Sequence, residues 1–532
     1  MKQWFFGFFL IASVGLTQTD RYDVLIRGGR VLDGSGNPWY RADIAIDDGR
    51  IEAVGRLDGI HAEVVIDAQG LYVAPGFIDP HTHSDRGLAE AELKGARAHL
   101  AQGVTTVVVN LCGGGQWPLT EQRQTYERQG VGVNVALLIP HGTVRRRVLG
   151  MEDRPPSDGE LDRMKMLVRD GMEAGAFGLS TGLYYAPGSY ATTDEIIALA
   201  KEIGPGGVHA SHIRDEGDYS VGLLAAVDEI ITISEASGIR GIVSHFKALG
   251  PNNWGKSVAA CIHIERARQR GISVWADQYP YKASGTGITG ALVPRWALAG
   301  EVKPEEPSPL ERRLRDPNER QRLRDAMIDN IERRGGPSTL VVSRHAADPS
   351  IEGLSLAGLA SARSQEPVDV ALALLENGGA GLVSFNMSEL DIEHIMKKDF
   401  TMTCSDGGLV RLGEGKPHPR YYGTFPRKIS RYVAERGAIS LSHAIRSMTS
   451  LPATVFGFED RGFIREGMWA DIVIFDLERV RDAATFQEPH QFAEGMLNVL
   501  VNGRVAIRDG RFTDALAGSV LDSRGASRSG IH

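Results

Sequence analysis

The sequence predicts an α/β protein: a (β/α)8 barrel of the TIM type carrying a small β-sandwich domain built from both chain ends. Two observations predict the barrel. From about residue 74 to 451, short apolar runs alternate with helical stretches, the order expected of parallel strands joined by crossover helices. Eight runs can be counted, the number a closed barrel needs. A third observation predicts the sandwich. Ala470-Asp471-Ile472-Val473-Ile474 echoes Ala42-Asp43-Ile44-Ala45-Ile46, and neither chain end holds enough strands for a core of its own.

With 532 residues, 42% of them apolar, the chain can bury a large core and more than one structural unit. Its formal charge is −8, and its basic residues are scattered rather than gathered in a stripe or tail. That excludes a nucleic-acid surface and leaves recognition to a local site. Three cysteines, Cys112, Cys261 and Cys404, are too few and odd in number for a disulfide framework. Nothing in the sequence fixes an oligomeric state.

Taken in order, Lys2 and the apolar run from Trp4 to Leu16 read as a secretory signal, residues 1–19, too short to cross a bilayer. This predicts export to the periplasm or medium with no membrane span after cleavage; were the run retained in the fold, the chain would be cytoplasmic. Residues 20–73 follow as short strands split by glycine turns, with Asp48-Gly49 a hairpin signal, and join 452–519 in the sandwich. Within the barrel, 74–451, the candidate strands are 77–79, 104–110, 134–139, 176–180, 208–211, 241–244, 273–277 and 401–404. Helical partners are 88–102, 159–174, 193–203, 220–237 and 257–270. After the seventh strand a Pro- and charge-rich insertion, about 292–338, contains a helix opening at Asp316-Pro317 and running to Arg334. It reads equally as a solvated excursion and as a lid over the barrel mouth. Residues 520–532 are expected to form a frayed tail.

In such a barrel the chemistry sits where strands end at the C-terminal face. The first strand runs into Asp79-Pro80-His81-Thr82-His83. Side chains alternate along extended backbone, so His81 and His83 point the same way, as two ligands of one metal ion must. The second strand leads to Cys112 on a glycine turn, the fifth carries His209 and His212, the sixth His245 and Lys247, and the eighth Cys404-Ser405-Asp406-Gly407. His209 and His212 are an odd number apart, so only one faces the mouth, and the later is the chosen ligand. Taken singly, each of these is more often a hydrogen-bonded loop residue or a small buried thiol. Together at the ends of five strands they make a site, and imidazole, thiolate and carboxylate in combination suit Zn²⁺. His141, after the third strand, stays open between loop structure and a supporting role; His99, His263 and His443 fall on helices and read as structural.

With these residues assembled, the chain resembles the amidohydrolase superfamily, and within it the D-aminoacylases (N-acyl-D-amino-acid deacylases), over about residues 22–519. The resemblance is carried by Pro75-Gly76-Phe77-Ile78-Asp79-Pro80-His81-Thr82-His83, Ser180-Thr181-Gly182-Leu183, Ser244-His245-Phe246-Lys247, Tyr279-Pro280-Tyr281, Ser405-Asp406-Gly407 and His418-Pro419-Arg420-Tyr421-Tyr422-Gly423-Thr424-Phe425-Pro426-Arg427. It implies a tight zinc held by Cys112, His212 and His245, a weaker second position at His81 and His83, and Asp406 as the catalytic carboxylate. It implies that Lys247, Tyr279 and Arg420 hold the free carboxylate of a small-molecule substrate, and that Tyr185 or Tyr184 lies by the acyl group. Many amidohydrolases carry a bridging carboxylated lysine on strand four. Here that strand reads Phe177-Gly178-Leu179-Ser180-Thr181, and Cys112 supplies the anion instead. A serine often found six residues after the first tyrosine of the Tyr-Pro-Tyr motif is replaced by Gly285, with Ser284 beside it as the candidate. The implied activity is zinc-dependent hydrolysis of N-acyl-D-amino acids to a carboxylic acid and a D-amino acid. Competing readings are a dipeptidase, a hydantoinase- or dihydroorotase-type cyclic amidase, and a non-catalytic binding barrel. Arg420 and Lys247 favour a linear substrate with a free carboxylate, and the full ligand set disfavours the last.

Overall fold

The computed structural model describes residues 21–524, so the signal expected at 1–19 lies outside the described residues, as does the tail beyond Arg524. Eight parallel strands form the barrel: β1 (Phe77–Asp79), β2 (Val104–Val109), β3 (Asn134–Leu137, continued by Ile139–Pro140), β4 (Gly178–Gly182), β5 (Val208–His212), β6 (Arg240–Val243), β7 (Val274–Gln278) and β8 (Thr401–Thr403). Each pairs with the next in chain order; β3 breaks at Leu138, its first half pairing with β2 and its second with β4. The ring closes above the strands. Ser405 N donates to Asp79 Oδ1 at 3.0 Å, Asp406 N donates to His81 O at 2.9 Å, and Thr82–His83 pairs in parallel with Gly407–Gly408. The segments that close the barrel are therefore the ones that carry His81, His83 and Asp406.

All six residues of β2 are buried, because one face meets the barrel interior and the other the surrounding helices. Ile78, Val108, Ala136, Ala210, Ile242 and Met402 pack into one cluster. On the outside, Asp158–Glu173, Thr193–Lys201, Leu223–Ser237 and Ser257–Gln269 contribute Met164, Ile196, Val227 and Ile264 to another. This two-sided burial is what made the strands legible as unbroken apolar runs.

Both chain ends build one nine-stranded sheet, joined where Tyr72–Pro75 pairs antiparallel with Ile472–Phe475. The strand Arg21–Val31 changes partner partway, pairing with His61–Asp67 up to Arg27 and with Tyr72 and Val73 from Arg30. Gly28, at φ +67°, supplies the left-handed backbone of that irregularity at no steric cost. The sheet thereby wraps around Val24, Ile26, Ile44, Ile46, Ile472 and Ile474.

Three expectations are corrected. The helix expected at 88–102 is two short ones, Asp85–Ala89 and Arg97–Leu100, because Ala96 takes a left-handed φ of 50° and the intervening turn docks its Lys94 carbonyl on Gly132 N at 2.8 Å. The insertion is longer than 292–338. It includes a three-stranded sheet of Ser284–Gly287, Leu340–Arg344 and Gly381–Ser384, and a separate core around Ile288, Leu323, Leu340, Leu356 and Leu382. Its glycine-rich first strand lacks the apolar alternation that marks a strand in sequence. The tail is anchored at its start: Leu521 N donates to Val135 O at 2.8 Å, and Arg123 Nη1 to Leu521 O at 2.9 Å.

Candidate metal centre and active site

Beyond β1, Thr82 turns its hydroxyl to Val108 O at 2.9 Å while the histidines on either side turn the other way, as alternation requires. His81 is buried and His83 is 40% exposed. After β2, Asn110 and Cys112 both take left-handed backbone, φ 66° and 54°. The Asn110 side chain, tied to Gln122 at 2.9 Å and Leu138 O at 3.1 Å, holds that turn in place. His245 and Asp406 leave left-handed backbone as well, φ 36° and 47°. Each such residue costs roughly 1–2 kcal/mol, and three of them converging on one point is strain concentrated at a site.

The point of convergence is the Cys112 thiol. Its Sγ lies 3.4 Å from His81 Nε2, 3.9 Å from His83 Nε2, 3.7 Å from His212 Nδ1 and 3.5 Å from His245 Nε2. Two ligands bonded to one tetrahedral zinc at about 2.3 Å (sulfur) and 2.1 Å (nitrogen) stand about 3.5 Å apart, so these separations fit a shared ion. Asp406 Oδ1 adds a carboxylate 3.7 Å from His81 Nε2 and 3.2 Å from His83 Nε2. Three donor sets emerge among the described residues: His81, Cys112 and His245; His81, His83 and Asp406; and His212, Glu216 and His245, with Cys112 Sγ also 3.7 Å from His212 Nδ1.

Burial holds the rings of His81, His212 and His245 well below the usual imidazole range, hence neutral, the form that binds a metal. Burial, with the Asp406 charge, pushes the Cys112 thiol well up, an arrangement that a bound cation would reverse. Burial alone would raise the Asp406 carboxyl, but Arg420, His245, His83 and His81 outweigh it and hold the group well below the carboxylate range. Arg420 Nη1 is 2.9 Å from Asp406 Oδ2. Neither Nη1 nor Nε is aligned for a hydrogen bond, so a guanidinium only 3% exposed keeps donors unspent at the cavity wall.

A cavity of about 430 Å³ opens above these groups. Tyr279 lines it with its ring 4.6 Å under the Arg420 guanidinium carbon. Tyr185 packs against His212 with ring centroids 4.6 Å apart and planes tilted by 60°, and reaches Thr286 Oγ1 at 3.2 Å, whereas the Tyr184 hydroxyl turns away to Arg334 Nη2 at 3.4 Å. Ser284 lies in the wall, its hydroxyl on Asn386 Oδ1 at 3.2 Å, so the insertion forms part of the site. Lys247 is brought to the cavity but is ion-paired with Glu216. His209 turns to Thr181 Oγ1 at 2.9 Å, away from the thiol, and His141 pairs with Glu195 at 3.0 Å beside Arg145. Sequence reasoning missed Glu216, although it stands four residues after His212. It also missed Asp277, which accepts from His245 N at 2.6 Å and whose carboxyl burial raises to about 7. An acid at a strand end was the available signal for Asp277.

A sequence model of the amidohydrolase family matches residues 64–277 and 390–507. The N-acyl-D-glutamate deacylase of Alcaligenes xylosoxydans xylosoxydans is 36% identical over 91% of this chain and 93% of its own length. The D-aminoacylase of the same organism is 32% identical over 95% of this chain and 99% of its own. The solved structure of N-acyl-D-glutamate deacylase from Bordetella bronchiseptica, complexed with zinc and a phosphonate inhibitor that mimics the tetrahedral intermediate, matches with a TM-score of 0.79. It is 33% identical, over 94% of this chain and 100% of that one.

Proposed function

The chain belongs to the amidohydrolase family, and from that premise we propose that it is a zinc-dependent hydrolase that cleaves the amide bond of N-acyl-D-amino acids. The observation that carries the proposal is the convergence of four imidazoles on one thiol, with Asp406 between the metal-capable groups and Arg420. Cys112, His212 and His245 would hold the tight zinc; His81 and His83 beside Asp406 would form the weaker second position. Bound zinc lowers the pKa of its water to about 7 and polarises the scissile carbonyl. Asp406, kept ionised, takes the water's proton and returns it to the leaving amine. Arg420, with donors unspent, receives the substrate α-carboxylate as a fork, and Tyr279 backs the guanidinium. With the carboxylate and the carbonyl both fixed, the Cα hydrogen and side chain occupy distinct places, and the site can tell D from L.

A panel of N-acetyl-D- and N-acetyl-L-amino acids and cyclic amides, assayed for acid release, tests this. Hydrolysis confined to linear D-substrates is expected; a preference for L-substrates or hydantoins removes the deacylase reading. We infer too that residues 1–19 direct export. N-terminal sequencing of the protein recovered from its native compartment should begin near residue 20, and a retained Met1 in a cytoplasmic fraction would rule this out. No helix among the described residues is long and apolar enough to cross a membrane.

A further inference from the structure

We infer that Gln122 is the positioning residue of the Cys112 thiol, fixing through the Asn110 amide the turn from which that sulfur projects. The inference rests on the proposed reading that Cys112 binds the tight metal. Leu111-Cys112-Gly113-Gly114 is a tight turn closed by Gly114 N, which donates to Leu111 O at 3.1 Å, and its central residues, Cys112 and Gly113, stand at φ 54° and 71°. Two successive left-handed residues suit Asn and Gly, not Cys. The local sequence therefore does not select this turn, and its surroundings must hold it.

Gln122 reaches the turn from the helix Leu119–Gln129. Asn110 Nδ2 donates to Gln122 Oε1 at 2.9 Å, and Gln122 Nε2 returns a bond to Asn110 Oδ1 at 3.1 Å. Neighbours leave each amide one orientation. The second N–H of Asn110 meets Leu138 O at 3.1 Å; that of Gln122 meets the Tyr126 hydroxyl at 2.9 Å, whose own proton goes to Asp85 O at 2.6 Å. All four amide N–H groups are thus spent, with Asn110, Gln122 and Tyr126 each buried. A buried polar network that is fully satisfied fixes one arrangement, and removing one amide orphans the donor and acceptor of the other.

The opposite side of the turn is closed by β4 and the segment after β3. Gly113 N donates to Ser180 Oγ at 3.2 Å, the Ser180 hydroxyl donates to Asn110 O, and Thr143 N donates to Gly113 O at 3.1 Å. A Cβ on Gly182 would stand 2.1 Å from Cys112 O, so β4 presses directly on the turn. The Cys112 turn is held between this backbone wall and the Asn110–Gln122 pair. Gln122 lines no part of the cavity, so its effect on the site passes through Asn110.

The test uses the full-length protein, with zinc affinity measured by chelator competition and the near-ultraviolet sulfur-to-metal charge-transfer band recorded after replacing zinc by cobalt. Gln122→Met keeps the length of the side chain and removes its amide. It should bind zinc about 10–100-fold more weakly than the parent, with the cobalt–sulfur band shifted or weakened. Asn110→Gly accepts φ 66° without strain and deletes the other half of the pair, so it should move affinity and band the same way. It carries the test if Gln122→Met fails to fold. A merely structural role would lower the melting temperature and leave the band alone. Parent-like zinc affinity and band in either folded variant overturn the inference. A parent that binds cobalt without a sulfur band would instead sink the reading of Cys112 as a ligand, and the inference with it.

Discussion

At the scale of single residues, the thiol and the carboxylate separate binding from chemistry. Cys112 is central to the ligand cluster, with nitrogens of four histidines within 3.9 Å of its sulfur. Cys112→Ala should lose zinc and activity together; zinc stoichiometry equal to the parent's would show that the thiol is not a ligand. Asp406→Asn keeps the shape of the side chain but cannot take a proton. It should yield a folded, zinc-loaded protein with turnover reduced about 10²–10⁴-fold, the usual contribution of a positioned acid–base group. A loss of only a few-fold would remove Asp406 from proton transfer. Both residues were legible in the sequence because each follows a strand end. Their left-handed backbone was not, since neither is a glycine.

At the scale of elements, β8 rests on a buried lysine. Lys428 donates to Thr403 Oγ1 at 2.7 Å and Ser447 Oγ at 2.8 Å, is 2% exposed, and pairs with no carboxylate among the described residues. Burial lowers its pKa to about 7. The unfolded value is about 10.4. Between the two, the folded state binds fewer protons than the unfolded chain, so this group makes stability rise with pH across that window; below about 7 its full cost applies. Lys428→Met should therefore raise the melting temperature more at pH 6 than at pH 9, as followed by circular dichroism. An equal gain at both pH values would mean that the charge is not held back. The insertion makes a contrasting case. Its helix at Pro317–Arg333 was expected within a residue of its bounds from Asp316-Pro317, whereas its sheet, opened by Ser284-Gly285-Thr286-Gly287, was invisible because those residues carry almost no apolar pattern.

At the scale of the whole molecule, barrel and sandwich are locked by one polar junction. Asp471 pairs with Arg461, accepts from Asn134 Nδ2 at 3.1 Å and accepts from Asn502 N at 2.8 Å, thereby linking β3 to the C-terminal strands of the sheet. Arg461 is 3% exposed and would keep only its 3.4 Å contact with the half-exposed Asp460, so Asp471→Ala should cost up to about 3–5 kcal/mol. The variant should melt markedly lower, with unchanged zinc content in the protein that remains folded. A parent-like melting temperature would mean that strand pairing alone holds the two units together.

What the sequence determined by itself was what repeats locally: the eight apolar runs of a sheet buried on both faces, the echo between the chain ends, and the ligand types at strand termini. Periodicity and alternation are properties of a few neighbouring residues, and they survive without knowledge of the fold. The tertiary structure alone decided that Glu216 lies beside two imidazoles 33 residues apart, that Arg420 leans on Asp406, and that the Tyr185 ring lies nearer His212 than the Tyr184 ring does. Those are meetings between loops, and a loop's path is set by the elements it connects and the groups that satisfy its backbone, not by its own composition.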